Sequence, residues 1–238
     1  MNMIGEIMKN IDFLKKRIIA HRGIFDNKKV PENSIKAFDD AIKKDYPIEL
    51  DIHLTKDNEI VVFHDDSLER MTNKTGSISS YTLKELKKIK LLESDYFIPS
   101  LDEVLSLVNG KVPLLIELKG KSKKNILEKE LIKKLDNYNG KFAIQSFNPF
   151  FLRYFKKYKK EYLRGLLIPD RNYNYIKYKL AICYSKPDFL SVGKKLFNKK
   201  IVLKRDIPIF AWTINKKEEE DKYKDCFDNL ICNIKYIA

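Results

Sequence analysis

Three carboxylates and two histidines stand at the ends of apolar runs, where their side chains could do chemistry together. Glu49 and Asp51 end one run and Glu117 ends a later one, while His21 and His64 end two others. Burying three carboxylates near one another is unfavourable, and a bound cation removes that cost. Ligation by carboxylate oxygens alone selects a hard ion. The pattern therefore predicts a site for one divalent cation, Mg²⁺ or Ca²⁺ before Zn²⁺.

The two histidines add acid-base chemistry to this cluster. Histidine titrates near neutrality, which suits a general base that activates a nucleophile and a general acid that protonates the departing alkoxide. A single histidine at a strand end is more often structural, but a pair beside a carboxylate cluster favours catalysis. Arg22 and Lys119 place positive charge where the nonbridging oxygens of a phosphate would lie, with ion pairs to the carboxylates as the structural alternative. His53 is interpreted as peripheral to the site.

Eight short apolar runs alternate with segments of helical spacing and must position these groups. The runs cover residues 17–20, 48–52, 114–118, 142–147, 164–168, 189–192, 207–214 and 230–234. Such alternation predicts a (β/α)8 TIM-type barrel, in which functional groups lie at the carboxyl ends of the strands. A doubly wound open sheet is the alternative, but the first strand-to-helix turn lacks the Gly-x-Gly-x-x-Gly pattern of that fold.

A ninth apolar run, residues 59–64, does not fit the alternation. Too few residues separate it from the strand with the first two carboxylates for a parallel crossover, so the two runs are expected to form a β-hairpin extension after strand 2. With Asp57-Asn58 as a two-residue turn, Asp51 would lie opposite His64. That register predicts that one rigid element holds a proton carrier beside the metal ligands.

Length and composition favour one domain. The 238 residues are expected to comprise an N-terminal extension, 1–16, and a single barrel domain, 17–238, with no helix after the last strand. No apolar run approaches bilayer length, so no stable membrane anchor is expected. Three cysteines without paired spacing, together with the lack of a secretory leader pattern, favour reduced thiols and a cytoplasmic location.

The net charge of +14, from 47 Lys and Arg against 33 Asp and Glu, would attract anionic small molecules, nucleic acid or acidic membranes. Lys, Asn, Ile and Tyr are abundant together, however, as is typical of an AT-rich coding sequence. We therefore expect a small-molecule partner and no nucleic acid. The sequence leaves homo-oligomer formation open.

Several short motifs occur together in a fixed order. They are His21-Arg22-Gly23, Pro31-Glu32-Asn33-Ser34, Glu49-Leu50-Asp51, Thr55-Lys56-Asp57, His64-Asp65, Glu117-Leu118-Lys119, Ser146-Phe147 and Trp212-Thr213-Ile214-Asn215. As a set, they resemble the signature of the glycerophosphodiester phosphodiesterase family over nearly the whole chain.

This resemblance implies a barrel enzyme that hydrolyses glycerophosphodiesters, such as glycerophosphocholine or glycerophosphoethanolamine, to glycerol 3-phosphate and an alcohol. It also implies roles for individual side chains. By motif position, the metal ligands are Glu49, Asp51 and Glu117, the acid-base pair is His21 and His64, and the substrate contacts are Arg22, Lys119 and Trp212. Asn33 is expected to support the His21 loop.

One departure from the family pattern stands at the last strand. The family usually has Thr-Asp-x-Pro there, whereas this chain has Cys232-Asn233-Ile234-Lys235. Asn233 removes a negative charge near the predicted mouth, so substrate contacts there are expected to differ.

Two alternatives in function remain at this stage. One is a lipid phosphodiesterase resembling sphingomyelinase D or lysophospholipase D, and the other is a catalytically silent basic barrel that binds nucleic acid or anionic membrane. The residues also leave open which histidine is the base, and whether hydrolysis is direct or passes through a cyclic phosphate.

Overall fold

The chain folds around a closed β-barrel. The computed structural model describes residues 10–120, 124–203 and 206–234. Its strands are β1 (Ile19–His21), β2 (Ile48–Leu54), β3 (Ile60–Val62), β4 (Leu114–Leu118), β5 (Phe142–Ser146), β6 (Leu163–Ile168), β7 (Phe189–Gly193), β8 (Ile209–Ile214) and β9 (Asn229–Cys232). All except β3 run parallel to their neighbours, and β1 pairs with both β2 and β9. This closure confirms the predicted TIM-type barrel.

Helices connect the strands and cover the outside of the barrel. They are α1 (Ile35–Lys43), α2 (Leu83–Leu86), α3 (Leu101–Val108), α4 (Ile126–Leu135), α5 (Pro149–Tyr158), α6 (Tyr175–Ser185), α7 (Lys200–Leu203) and α8 (Lys217–Tyr223). Side chains cap several of them. Ser34 Oγ accepts from Ala37 N at the start of α1, and Ser100 with Glu103 forms a capping box on α3. Within the described ranges, no helix combines the length and apolarity that crossing a bilayer requires.

The inside of the barrel is apolar at its lower end and polar at its upper end. Ile11 and Leu14 pack under the strands against Leu115 and Phe189 and close the amino-terminal end of the barrel. Leu115 and Phe189 point into the barrel. Because side chains alternate along a strand, the residue two positions after each of them also points inward, and such residues form the polar layer above the apolar one. The prediction that no helix follows the last strand concerns residues 235–238, which lie outside the described residues.

The β2–β3 hairpin forms, but its predicted register is wrong by one residue. Ile52 pairs with Val62 and Leu54 pairs with Ile60. The turn holds three residues rather than two, because Asn58 alone takes the left-handed conformation, with φ of 63°, and Thr55 Oγ1 accepts from Glu59 N at 2.9 Å. A two-residue turn of the predicted type would need two left-handed residues.

The change of register moves His64 off the hairpin ladder. Phe63, not His64, lies beside Asp51, and Phe63 N donates to Asp51 O at 3.0 Å. His64 follows the end of β3 in a loop. The prediction that backbone pairing places His64 opposite Asp51 is therefore wrong, and side-chain contacts must hold this histidine instead.

Candidate active site

Three buried carboxylates converge at the upper end of the barrel. Glu49 and Asp51 lie on β2 and Glu117 lies on β4, with Asp51 and Glu117 side by side in the ladder. Each offers one oxygen, and these oxygens lie within 4.8 Å of one another. An all-oxygen donor set at this spacing fits a hard divalent cation. The predicted metal ligands are thus brought together.

Two positively charged side chains and an amide side chain surround this cluster. Lys119 Nζ lies 3.0 Å from Asp51 Oδ1 and 2.6 Å from Glu117 Oε1. Arg22 Nε lies 3.3 Å from Asp51 Oδ2, which also accepts from Asn33 Nδ2 at 2.8 Å. Arg22 and Lys119 are therefore paired with the carboxylates, as the structural alternative foresaw. Asn33 contacts the carboxylate cluster directly, and its backbone N–H also donates to the carbonyl of Arg22.

The charges within the cluster are unevenly distributed. Burial, together with repulsion from Asp51 and Glu117, raises the pKa of Glu49 well above its usual range. Burial raises the pKa of Glu117 to about 7 despite its contact with Lys119. Burial opposes ionisation of Asp51 as well, but Lys119 and Arg22 hold its pKa below the usual range. Protons at the two glutamates thus occupy a place that a cation would take.

His21 ends β1 and is held by an amide. Its Nδ1 lies 2.8 Å from Asn233 Oδ1, and Asn233 Nδ2 donates to Asn215 Oδ1 at 2.7 Å. Because that amide oxygen can only accept, Nδ1 carries the proton and Nε2 keeps its lone pair. Nε2 lies 4.0 Å from Glu49 Oε2. Burial and the neighbouring Arg22 lower the pKa of His21 to about 3, so the ring is uncharged at neutral pH.

His64 is held by a carboxylate instead. Its Nδ1 lies 2.5 Å from Asp65 Oδ1, and Arg70 Nε donates to Asp65 Oδ2 at 2.5 Å. Although burial opposes it, hydrogen bonds from Arg70 and His64 lower the pKa of Asp65 to about 2. His53 Nε2 donates to the carbonyl of His64 at 3.2 Å. His53 is buried beneath this loop and is not among the residues that line the site cavity, so its peripheral position stays a prediction.

Glu32 connects the two loops that carry the histidines. Its Oε1 lies 2.7 Å from Arg22 Nη1, beside His21, and 2.6 Å from Arg70 Nη2, which holds Asp65. Burial opposes its ionisation, but these guanidinium groups lower the pKa of Glu32 to about 2. A buried, ionised Glu32 therefore fixes the positions of both loops relative to each other.

The turn after β1 requires glycine. Gly23 has φ of 81°, and a Cβ at this position would lie 2.7 Å from the carbonyl carbon of Ala37 in α1. Any larger residue would push α1 away from the barrel. Arg22, immediately before it, also has a positive φ, of 58°. The His-Arg-Gly motif thus sets a tight turn that directs the Arg22 side chain to the carboxylates.

These groups border one cavity of about 110 Å³. Its lining contains seven of the eight predicted site residues. The eighth, Asp51, does not line the cavity but contacts Arg22 and Lys119, which do. The lining residues are His21, Arg22, Glu49, His64, Glu117, Lys119, Gln145, Phe147, Leu167, Trp212, Thr213 and Ile231. Trp212 forms the wall away from the carboxylates, where its Nε1 donates to Ser191 O at 3.0 Å and its ring packs edge-on against Phe147 at 5.5 Å.

Two polar residues of the barrel interior were not predicted to have a role. Gln145 Nε2 donates to Glu49 Oε1 at 3.3 Å, and Gln145 Oε1 accepts from Ser191 Oγ at 2.7 Å. Gln145, on β5, therefore orients the carboxylate of Glu49 on β2, with β4 between the two strands. The only indication in the sequence for Gln145 was its position as a polar residue at the end of an apolar run. Ser191 had no such indication.

Known proteins resemble this chain in sequence and in architecture. The model of the glycerophosphoryl diester phosphodiesterase family matches residues 21–227. A glycerophosphodiester phosphodiesterase of Caldanaerobacter subterraneus subsp. tengcongensis is 34% identical over 223 residues, which cover 88% of this chain and 90% of that protein. The solved glycerophosphodiester phosphodiesterase of Thermotoga maritima is 29% identical with a TM-score of 0.74, over 91% of this chain and 94% of that one.

A further solved structure shares the fold. It is an Oleispira antarctica phosphodiesterase in complex with the product sn-glycerol-3-phosphate, with a TM-score of 0.81 and 23% identity over 91% of this chain and 92% of that one. The family match, the relative and the site geometry agree with the motif-based prediction. The chain belongs to the glycerophosphoryl diester phosphodiesterase family and is a glycerophosphodiester phosphodiesterase.

Proposed function

We propose that the barrel mouth hydrolyses small glycerophosphodiesters, such as glycerophosphocholine or glycerophosphoethanolamine, to glycerol 3-phosphate and an alcohol. The observation that carries this proposal is that three carboxylates, two imidazoles and two basic side chains converge around one small cavity. The product bound by the Oleispira antarctica phosphodiesterase supports the same product here. The described cysteines form no disulfide, in keeping with a cytoplasmic enzyme.

Glu49, Asp51 and Glu117 would hold one cation, Mg²⁺ or Ca²⁺. When bound, that cation supplies Lewis-acid polarisation of a phosphate oxygen and a template for the diester. Lys119 and Arg22 balance the negative charge that the ligands and a phosphate bring to the same place. Trp212 and Phe147 offer an apolar wall for the glycerol or head group.

The hydrogen-bond partners of the histidines distinguish their roles. His21 donates through Nδ1 to a neutral amide, which orients the ring and leaves Nε2 free to accept a proton. His64 donates to the carboxylate of Asp65, which favours the imidazolium form, although burial lowers the pKa of His64 overall. We therefore assign His21 as the general base and His64 as the general acid that protonates the leaving alkoxide.

Leaving-group dependence tests this assignment. A p-nitrophenyl ester needs no protonation of its leaving oxygen, whereas choline does. His64→Ala should therefore lose roughly a hundredfold or more with glycerophosphocholine but far less with a p-nitrophenyl glycerophosphodiester. His21→Ala should lose activity on both substrates. The reverse pattern would exchange the two roles.

Product release tests the reaction and its metal dependence. Wild-type protein should release glycerol 3-phosphate from glycerophosphocholine with Mg²⁺ or Ca²⁺, lose activity with a chelator and regain it when the ion is restored. Full activity in chelator would refute the metal role. Turnover of lysophosphatidylcholine without turnover of glycerophosphocholine would instead support the lipid phosphodiesterase alternative.

A further inference from the structure

Two neighbouring helices, α5 and α6, expose large apolar side chains to solvent. The exposed fractions are 62% for Phe150 on α5, and 69%, 65% and 44% for Ile176, Leu180 and Tyr184 on α6. Single exposed apolar residues are ordinary, but a contiguous group of them marks an interaction surface.

These side chains form one surface rather than scattered contacts. Ile176, Leu180 and Tyr184 follow one another at intervals of four residues and so lie along one side of α6. The rings of Phe150 and Tyr184 are 5.2 Å apart across the two helices. A groove of about 740 Å³ runs between α5 and α6 and is lined by all four side chains. We call this surface the α5–α6 face.

The two segments that form the α5–α6 face carry basic and no acidic side chains, while Asp136 and Glu161 beside them pair with Lys159. Residues 149–160 contain five Lys and Arg, residues 173–186 contain three Lys, and neither segment contains Asp or Glu. Arg153 lies over the ring of Tyr184 at 5.7 Å, and Lys177 lies over that of Tyr178 at 5.5 Å. Lys157 similarly lies over Tyr158 at 4.8 Å. Cationic and aromatic groups therefore alternate around an aliphatic centre.

We propose that the α5–α6 face docks the protein on the surface of an anionic phospholipid bilayer. Aliphatic and aromatic side chains enter the boundary between head groups and acyl chains, while a rim of Lys and Arg attracts anionic head groups. A second copy of this chain would bring like charges together. Nucleic acid would satisfy the cations and stack on the rings but leave Ile176 and Leu180 without a partner.

The α5–α6 face continues into the active-site mouth. Phe147, which precedes α5, lines the groove and also the catalytic cavity, where it packs against Trp212. Docking through this face would hold the mouth beside lipid head groups. The inference goes beyond the proposed function, since binding to a bilayer requires no turnover.

Vesicle co-sedimentation tests the proposal. Full-length protein is mixed with vesicles of phosphatidylcholine alone or with about one third phosphatidylglycerol. Wild type should bind the anionic vesicles and not the neutral ones. Removing the aliphatic centre with Ile176→Ser and Leu180→Ser, or reversing the rim with Lys157→Glu and Lys177→Glu, should weaken binding roughly tenfold or more. Far-UV circular dichroism verifies that each variant is folded.

A matched control separates the surface from the net charge. Lys84→Glu and Lys88→Glu change the net charge by the same amount at exposed positions in and beside α2, outside the α5–α6 face. This variant should bind within about twofold of wild type. Equal losses in both charge-reversal variants, or no loss in the aliphatic variant, would overturn the proposal. So would a dimer that Ile176→Ser and Leu180→Ser dissociate, or retention of single-stranded DNA in place of vesicles.

Discussion

Replacing Glu117 by Gln should make the metal-free protein more stable at alkaline pH while it weakens the cation site. Glu117 is buried and faces Asp51, and its ionisation is unfavourable even with Lys119 at 2.6 Å. Gln keeps the shape of the side chain and removes the charge. Stability and metal binding should therefore change in opposite directions.

The magnitude follows from the pKa of Glu117. The folded protein raises that pKa from 4.5 to about 7, so the folded state holds the proton more tightly than the unfolded state. A raised carboxyl pKa contributes stability that is complete at low pH and is lost as pH rises through the folded value. At about pH 8 the loss amounts to about 3 kcal/mol, and at about pH 5 it is below about 1 kcal/mol. Glu117→Gln should remove this loss.

Urea unfolding in chelator, followed by far-UV circular dichroism at about pH 5 and about pH 8, measures the effect. The advantage of Glu117→Gln over wild type should grow by about 2 kcal/mol between these values. Excess Mg²⁺ or Ca²⁺ should stabilise wild type and have less effect on the variant. A variant less stable than wild type in chelator at both pH values would refute the reasoning.

Glu32→Gln provides a matched control, because it makes the same chemical change at a carboxylate whose pKa is lowered. Burial opposes ionisation there, but Arg70 and Arg22 lower the pKa of Glu32 from 4.5 to about 2. Its stabilising contribution is present above the unfolded pKa and is lost only as pH falls towards 2. Glu32→Gln should therefore cost about 3 kcal/mol at both pH values used for Glu117→Gln.

Three further predictions concern the same site. The affinity for Mg²⁺ or Ca²⁺, measured by isothermal titration calorimetry, should weaken as pH falls below about 7, because protons on Glu49 and Glu117 compete with the ion; an affinity independent of pH would contradict this. Lys119→Met should lower kcat/KM for glycerophosphocholine by roughly a hundredfold or more, and a smaller loss in steady-state assays would remove Lys119 from phosphate binding. Asn233→Leu should lower kcat by roughly tenfold or more by releasing His21, whereas Asn233→Asp, which keeps the acceptor, should retain most of the activity.

The barrel fold and the clustering of the site residues at one end of it were predictable, because both depend on where residues lie along the strands. His21, Glu117 and Trp212 each stand near the carboxyl end of a strand, and parallel strands in a closed barrel bring those ends together. Glu49 lies level with His21, because β2 continues beyond the barrel into the hairpin. The motif match added roles that position alone does not supply. Clustering of the three carboxylates required only that β2 and β4 be neighbours.

Features that depend on local side-chain contacts were not predictable in the same way. The hairpin register turned on whether Asn58 alone, or Asp57 with it, would be left-handed, and the contact between Thr55 and Asp57 favours the three-residue turn. Helix α6 lacks the usual amphipathic spacing, because apolar residues such as Leu180 occupy its exposed side.

The partners that orient the catalytic groups come from distant parts of the chain. His21 meets Asn233 and Glu49 meets Gln145 only after the barrel has closed. In the sequence, Asn233 was a departure from the family pattern that removed a charge. In the structure, its amide oxygen accepts from His21, so this position contacts the histidine without placing a negative charge beside it.

The most direct test of the central claim is the release of glycerol 3-phosphate from glycerophosphocholine by wild type, His21→Ala and His64→Ala, each with Mg²⁺ or Ca²⁺. Wild type should release the product, and each variant should lose roughly a hundredfold or more in kcat while keeping its far-UV circular dichroism spectrum. Undiminished release by either folded variant would contradict the assignment of the two histidines as the acid-base pair.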